Sequence, residues 1–249
     1  MTAINLRLVT DRAELTDLAP LVADMEAAWA PSHRQESVRE ARLEVYRRFA
    51  TSDDFRNPSA MVAETTEGRL VGVRMGSRPR GPQSVWTSPG AGELRVPGRG
   101  VIGAETRAYW DRQPVPHGII LAVDPEYQQQ GIGRRVMAAW GAARPADERY
   151  ATGHLQPDSV PPLSTVARLG GQIIGEREDG RYFYLLPLRG QSADEVSQLT
   201  VAIQQEVPSV DTALRGVAST LASARAPVAL PMTAAIERAV AIKRHALDR

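Results

Sequence analysis

The chain has 249 residues, 43% of them hydrophobic, and a formal net charge of +1 at pH 7. This length allows one large domain with a substantial core, and the near-neutral charge argues against bulk electrostatic binding to nucleic acid. The absence of cysteine excludes a disulfide framework, a thiolate nucleophile and a cysteine-based zinc site. No signal-peptide pattern and no apolar run of roughly 20 residues is present, so we expect a cytoplasmic protein without a membrane span.

The N-terminal part of the chain predicts a strand and then a helix. Apolar residues at every second position of residues 4–9 indicate the strand. Apolar residues at helical spacing follow over residues 18–29. We expect Asp17 to be the N-cap of this helix, with Pro20 in its first turn.

A second helix and two strands are predicted next. The helix follows Pro31 and carries Val38, Arg42, Val45 and Phe49 on one stripe. Its aromatic side chains are expected to be core residues rather than substrate contacts. Residues 60–65 and 70–75 predict strands joined by a hairpin turn at Glu67-Gly68.

Residues 77–116 lack a regular pattern and are rich in proline and glycine. A connection of this length is unusual within a compact domain and tends to be functional or disordered. Residues 104–112 predict a short helix within it.

The most specific stretch of the sequence runs from His117 to Trp140. An apolar, β-branched run ends at Asp124-Pro125 and predicts a strand. The segment Gly131-Ile132-Gly133 follows a polar turn and begins a helix with an apolar stripe. Strand, glycine loop and helix together offer free backbone N–H groups to a phosphate. The loop is neither a Walker loop nor a complete GxGxxG fingerprint, because the required lysine and last glycine are absent.

The segment Gln128-Gln129-Gln130-Gly131-Ile132-Gly133 resembles the acetyl-CoA signature of the GNAT superfamily of N-acetyltransferases, Gln/Arg-x-x-Gly-x-Gly/Ala. The Val-Asp-Pro-Glu-Tyr sequence before it is also similar to that family. The resemblance implies an α/β (α+β) fold in which a mixed, mostly antiparallel central sheet is flanked by helices. It also implies acetyl-CoA, or another acyl-CoA, as the cofactor.

The remaining elements complete a GNAT-like order. Residues 149–155 predict a strand, residues 161–169 a short helix, and residues 172–176 with 181–186 a hairpin. We therefore expect an acyltransferase domain over residues 1–189. Because the family's usual link is shorter, the resemblance implies that residues 77–116 are an insertion. Two interpretations of it remain open: a flap over the acceptor site that carries Trp86, Tyr109 or Trp110, or a segment packed on the edge of the sheet. Residues 190–249 predict a helical extension of three helices that packs on this domain or on a second copy, which makes a homodimer plausible.

The resemblance also implies where acyl-CoA binds. The strand that ends at Val123 would pair with pantetheine, and a backbone amide near Val123 would polarise the thioester carbonyl. Backbone N–H groups of the loop would hold the pyrophosphate, and two arginines would add positive charge. The expected cofactor-binding residues are Leu121, Ala122, Val123, Gln128, Gln129, Gln130, Gly131, Ile132, Gly133, Arg134 and Arg135. No metal is expected.

The sequence departs from the family at the residue that protonates the departing thiolate. The tyrosine of many members is Val166 here, and the usual asparagine falls at Ser159. Ser164, Thr165, Ser159 or water could act instead. The thiol could equally leave unprotonated, because its pKa of about 8.5 makes the thiolate a tolerable leaving group.

Three residues are candidates for the base that takes a proton from the amine. His154 is the first, at the end of a predicted strand, because a histidine pKa near ~6.5 suits this role. His117 is the second candidate and Glu105, within the insertion, is the third.

The sequence thus predicts an acyl-CoA-dependent N-acyltransferase, most simply one that transfers acetyl to a primary amine of a small molecule or peptide by direct attack. One alternative is an acyltransferase that takes a longer acyl group from CoA or from a carrier protein. The small residues Ala122 and Gly153, along the expected thioester channel, would permit it. Another alternative is a non-catalytic acyl-CoA-binding module, whose C-terminal helices bind a protein partner. Neither nucleic acid nor a membrane is expected as a partner.

Overall fold

The structure is a computed structural model that describes residues 3–29, 36–79, 94–96, 100–101, 115–157, 159–177, 180–188, 195–196, 199–200 and 232–247. Its elements, in chain order, are β1 (Ile4–Val9), α1 (Arg12–Trp29), α2 (Glu36–Thr51), β2 (Phe55–Thr65), β3 (Leu70–Pro79), β4 (Leu94–Val96), β5 (Gly100–Val101), β6 (His117–Val123), α3 (Ile132–Ala143), β7 (Tyr150–Leu155), α4 (Val160–Arg168), β8 (Gln172–Arg177), β9 (Tyr182–Pro187) and α5 (Met232–Leu247). A 3₁₀ turn, Pro125–Tyr127, lies between β6 and α3.

The chain forms two compact units. The first comprises Met1–Arg80 with Pro116–Pro145, and the second comprises Gly81–Val115 with Ala146–Arg249. Antiparallel strands flanked by helices occur in both units, which confirms the predicted fold class. The predicted boundary between residues 189 and 190 stays a prediction. None of the helices in the described ranges is long and apolar enough to cross a membrane.

Four antiparallel strands form the sheet of the first unit, in the order β1-β2-β3-β6. Strands β2 and β3 are longer than predicted. The prediction missed residues 55–59 of β2, because Asn57 and Pro58 are residue types that usually mark a turn. Here they lie at a bulge, where Asn57 has a φ of 49° and the register with β3 shifts between Arg56 and Ser59. The predicted turn at Glu67-Gly68 is confirmed, and Gly68 has a φ of +84°.

Helix α1 begins earlier than predicted. Asp11 is its N-cap, because the Asp11 side chain accepts a hydrogen bond of 2.9 Å from the backbone N–H of Glu14. The prediction of Asp17 as N-cap was therefore wrong, and Pro20 lies inside the helix. The apolar pattern misled the prediction because the first turn of α1 carries charged residues.

Helix α2 packs against α1, but on a different stripe from the predicted one. Val45 is 42% exposed, whereas Tyr46 and Phe49 are fully buried. The Tyr46 hydroxyl donates to Glu26 of α1 at 2.5 Å, and Arg42 donates to the same carboxylate at 2.8 Å. The expectation that Tyr46 and Phe49 are core residues is confirmed.

The two faces of this sheet are covered by different helices. Helices α1 and α2 cover one face, where alternate residues of β2, β3 and β6 join one apolar cluster. On the other face lies Trp140 of α3, whose indole N–H donates to Ser59 at 3.1 Å. The guanidinium groups of Arg74 and Arg144 lie over its ring, 5.2 Å and 5.1 Å from the ring centroid. These contacts fix α3 on the sheet.

In the described part of the second unit, five strands lie in the order β7-β9-β8-β4-β5. The predicted hairpin of β8 and β9 is present, and Gly180 in its turn has a φ of +79°. Helix α5 packs against α4 through its small residues Ala235 and Ala239, which are fully buried. Two further residues of the predicted extension, Val196 and Leu199, are also buried.

Several predictions fall outside the described residues. They are the short helix of residues 104–112, the second helix of the extension, and the side chains of Trp86, Tyr109, Trp110 and Glu105.

Candidate functional site

The segment between β6 and α3 is a tight turn built on Asp124. The Asp124 carboxylate accepts the backbone N–H of Glu126 at 3.0 Å, and the Asp124 carbonyl accepts the N–H of Tyr127 at 2.9 Å. The Asp124 N–H donates to the carbonyl of Val71 in β3 at 3.0 Å. The strand therefore stops at Asp124, and the chain turns towards the glycine loop.

The loop that follows is held in an unusual backbone conformation. Gly131 is the N-cap of α3 and has a φ of 74°, which favours glycine. Gln129 also has a positive φ, of 62°. The Gln128 side-chain amide donates to the carbonyl of Val123 at 3.1 Å, which ties the loop to the end of β6. Gln128, the first residue of the signature, thus shapes the loop through its side chain.

The loop presents a row of backbone N–H groups. The Arg135 N–H is satisfied, because it donates to the Gly131 carbonyl at 3.1 Å. Among the described residues, none of the backbone N–H groups of residues 129–134 donates to a backbone carbonyl in a turn, loop or cap. The first turn of a helix cannot satisfy such groups itself, and the helix dipole adds partial positive charge there.

The surroundings of the loop fit a phosphate. Gln129, Gln130, Arg134 and Arg135 are exposed, whereas Ile132 is buried and anchors the helix. A Cβ at Gly131 would have no atom within 4 Å, so the space beside it is open. The loop can therefore receive an anion beside the backbone N–H groups of residues 129–134.

Gly133 differs from Gly131. A Cβ added at Gly133 would meet Val123 and Leu121 at 3.5 Å and 3.8 Å, which are ordinary contact distances. It would point at β6 rather than at the open side of the loop. The folded chain alone thus explains the glycine at 131 and not the glycine at 133.

Strand β6 supplies the other predicted cofactor residues. Leu121 and Val123 are half-buried on the face that carries α3, whereas Ala122 is 2% exposed in the core on the opposite face. Ala122 can therefore contribute only its backbone. Small size at this position serves packing against the α1–α2 face.

One residue of this site was missed by the sequence. Arg69, in the turn between β2 and β3, donates to Asp124 at 2.7 Å and to Glu126 at 2.9 Å. Its guanidinium lies 5.4 Å from the centre of the Tyr127 ring. Hydrogen bonds to Asp124 and then to Glu126 raise the pKa of Arg69. No local pattern could reveal these pairings, because Arg69 precedes Asp124 by 55 residues.

The second unit contains the first base candidate, His154 on β7. Its Nε2 lies 2.5 Å from Nη1 of Arg177, and its ring lies 5.3 Å from that of Phe183. A guanidinium can only donate, so the Nε2 atom of His154 is the acceptor and its proton is on Nδ1. To act as a base through Nε2, His154 must first exchange this hydrogen bond for one to the amine.

The other catalytic candidates are placed as follows. His117 is the first residue of β6, lies opposite Ser77 of β3 and is half-buried. Val166, at the position of the family tyrosine, is fully buried in α4. Ser164 and Thr165 are half-buried on the same helix, and Ser159 precedes it as N-cap. Each of these assignments stays a prediction.

The small size of Gly153 does not leave a cavity. A Cβ added at residue 153 would overlap the hydroxyl and ring atoms of Tyr184. Gly153 therefore makes room for Tyr184 of the neighbouring strand, and its size is no argument for a longer acyl donor. Among the described residues there is no cluster of His, Asp and Glu suited to a metal ion.

Comparison with known proteins gives structural matches only. No protein-family profile matches the chain, and no curated protein matches it. Solved structures of GNAT-family acetyltransferases match its fold at low identity. An acetyltransferase from Thermus thermophilus is 15% identical, with a TM-score of 0.47 over 76% of this chain and 100% of its own.

Two further solved structures match the chain at similar identity and coverage. The protein yncA of Salmonella typhimurium, solved with its cofactor acetyl-CoA, is 15% identical, with a TM-score of 0.44 over 77% of this chain and 98% of its own. The ribosomal-protein-S18-alanine N-acetyltransferase of Escherichia coli is 11% identical, with a TM-score of 0.42 over 76% of this chain and 97% of its own. Likeness at this level identifies neither a substrate nor a mechanism.

Proposed function

We propose that this protein is an acyl-CoA-dependent N-acyltransferase, most simply one that transfers acetyl from acetyl-CoA to a primary amine. The observation that carries the proposal is the loop between β6 and α3. It combines a left-handed Gly131, a row of N–H groups open to a ligand, and a Gln128 side chain bonded to Val123. Those features fit the pyrophosphate of CoA and match the residues of the GNAT signature.

The chain's own residues would act in three ways. The loop N–H groups of residues 129–134 hold the pyrophosphate, and Arg134 and Arg135 attract it. A backbone amide near Val123 stabilises the negative charge that develops on the thioester oxygen. Bound acetyl-CoA would supply the acyl group to the attacking amine, and CoA would leave as a thiolate when the C–S bond breaks. The amine proton passes to a base, for which His154, His117 and Glu105 remain the candidates.

A decisive experiment is titration calorimetry with acetyl-CoA, CoA and dephospho-CoA. We expect micromolar binding by the wild type and none by G131E, because this carboxylate would lie where the phosphate binds. G180E is the matched control: Gly180 has a φ of +79° and equally open surroundings, so it suffers the same backbone strain in another turn. Normal acetyl-CoA binding by G131E would refute the loop assignment.

The choice of base can be tested by two glutamine substitutions. If His154 is the base, H154Q lowers kcat on the order of 100-fold. Acetyl-CoA binding stays unchanged, because His154 has no role in the loop. H117Q serves as the paired variant on β6. Turnover by H154Q that equals the wild-type rate eliminates this histidine.

One alternative function has an observation in its favour. Val166 is buried and cannot donate a proton, which suits an acyl-CoA-binding module without turnover. Mass spectrometry would then find acyl-CoA bound, and incubation with a panel of amines would release no thiol. A cytoplasmic location and a homodimer through the C-terminal helices also stay proposals, the second testable by light scattering.

A further inference from the structure

The turn between β2 and β3 is braced so that Arg69 faces the turn after β6. The Arg69 carbonyl accepts the N–H of Thr65 at 2.9 Å, and the Gly68 N–H donates to the Thr65 carbonyl at 3.0 Å. The Arg69 N–H also lies 3.3 Å from the Thr65 hydroxyl. The backbone of Arg69 is thus fixed by its own hairpin, and its side chain extends to a different segment.

The Arg69 side chain contacts three residues of the turn after β6: two carboxylates and one aromatic ring. A single guanidinium nitrogen of Arg69 bonds both Asp124 and Glu126, and the guanidinium lies over the Tyr127 ring. Asp124 in turn accepts the Glu126 N–H and bonds β3 through its own N–H. The start of the turn is therefore held from two sides, by β3 and by Arg69.

The position of the carboxylates gives Arg69 a second effect. Asp124 and Glu126 are the acidic residues immediately before the loop that would hold pyrophosphate. Both would repel an incoming anion, and Glu126 is exposed, with 69% of its side chain accessible. Arg69 compensates this charge directly, since it forms ion pairs with both.

We infer that Arg69 is a positioning residue for acyl-CoA: it holds the turn of residues 124–127 and neutralises its carboxylates, so that the N–H groups of residues 129–134 are arranged for pyrophosphate. The inference rests on the proposed function. Arg69 itself acts through Asp124, Glu126 and Tyr127 and needs no contact with the cofactor. One nitrogen of Arg69 bonds both carboxylates, so what an arginine adds over a lysine is the contact of the guanidinium with the Tyr127 ring.

The test compares R69A, R69K and R48A by titration calorimetry with acetyl-CoA. Arg48 is a matched control, since it forms an exposed ion pair with Asp54 at 2.8 Å in the same unit, and its side-chain exposure of 50% is close to the 52% of Arg69. Both alanine variants lose the same charge. We expect R69A to raise the Kd about three- to tenfold, R69K to restore part of the loss, and R48A to change nothing.

Three further readouts separate positioning from general stability. With acetyl-CoA saturating, kcat and the KM for the amine should be unchanged in R69A. Backbone amide chemical shifts of residues 129–134 should move in R69A and stay in place in R48A. The melting temperature should barely change, because exposed ion pairs contribute little to stability.

The outcomes discriminate clearly. If R69A binds acetyl-CoA as R48A does, the inference is overturned. Full rescue by R69K together with unmoved chemical shifts in R69A overturns the positioning role and leaves only the neutralisation of charge. If the wild type binds no acetyl-CoA, the proposed function fails. In that case the chemical shifts still decide whether Arg69 arranges the loop, and unmoved shifts overturn it.

Discussion

At the scale of single residues, the clearest lesson is the difference between Tyr46 and Tyr182. Both hydroxyl groups are buried, and the Tyr46 hydroxyl donates to Glu26 at 2.5 Å and accepts from Arg42 at 2.9 Å. Among the described residues the Tyr182 hydroxyl has no hydrogen-bond partner. Burial first, and then the nearby Glu26 carboxylate, raise the pKa of Tyr46, although Arg42 opposes the shift.

These two tyrosines give a prediction for stability. Y46F should lower the free energy of unfolding by about 1–3 kcal/mol at neutral pH, because Glu26 loses a donor in a buried site. Y182F removes a hydroxyl without a described partner and should cost nothing or stabilise. Chemical denaturation measures both. Equal losses for the two variants would contradict the importance of the Glu26 cluster.

The same tyrosine predicts a dependence on pH. Because its folded-state pKa is raised, Tyr46 contributes stability below the unfolded pKa of about 10 and loses it as the pH rises further. The unfolding free energy of the wild type should therefore fall more steeply above about pH 10 than that of Y46F.

At the scale of elements, the sequence predicted which helices and strands exist better than where they begin. The predicted apolar stripe of α3 proves to be Ile132, Val136 and Trp140, and all three side chains are buried. In α2, the sequence placed Val45 on the buried stripe, but the adjacent Tyr46 is the residue that is buried. In α1, capping was decided by Asp11, whose signal preceded the apolar pattern.

The N-cap of α1 is testable by two matched substitutions. D11A should destabilise the protein by about 1 kcal/mol, because the Glu14 N–H loses its acceptor. D17A removes the same charge from a position inside the helix, so its effect should remain within about 0.5 kcal/mol. The comparison uses unfolding free energies from urea titrations. A larger loss in D17A than in D11A would refute the assignment of the cap.

At the scale of the whole molecule, local sequence information was sufficient for the loop and insufficient for what surrounds it. The glycine signature is contiguous, so its geometry at Gly131 could be anticipated from residues 117–140 alone. The Arg69 pairings and the His154–Arg177 contact join segments that are 55 and 23 residues apart. Only tertiary packing brings such residues together, and a single sequence contains no record of that.

The contact of Arg69 with the turn after β6 has a consequence for protein engineering. Because the motif is contiguous, a designer could try to graft residues 117–140 as one segment onto another sheet. The transplanted turn would contain Asp124 and Glu126 without the cation that the β2–β3 hairpin supplies. The graft should therefore include two discontinuous pieces, residues 117–140 and a neighbouring hairpin with an arginine at its end.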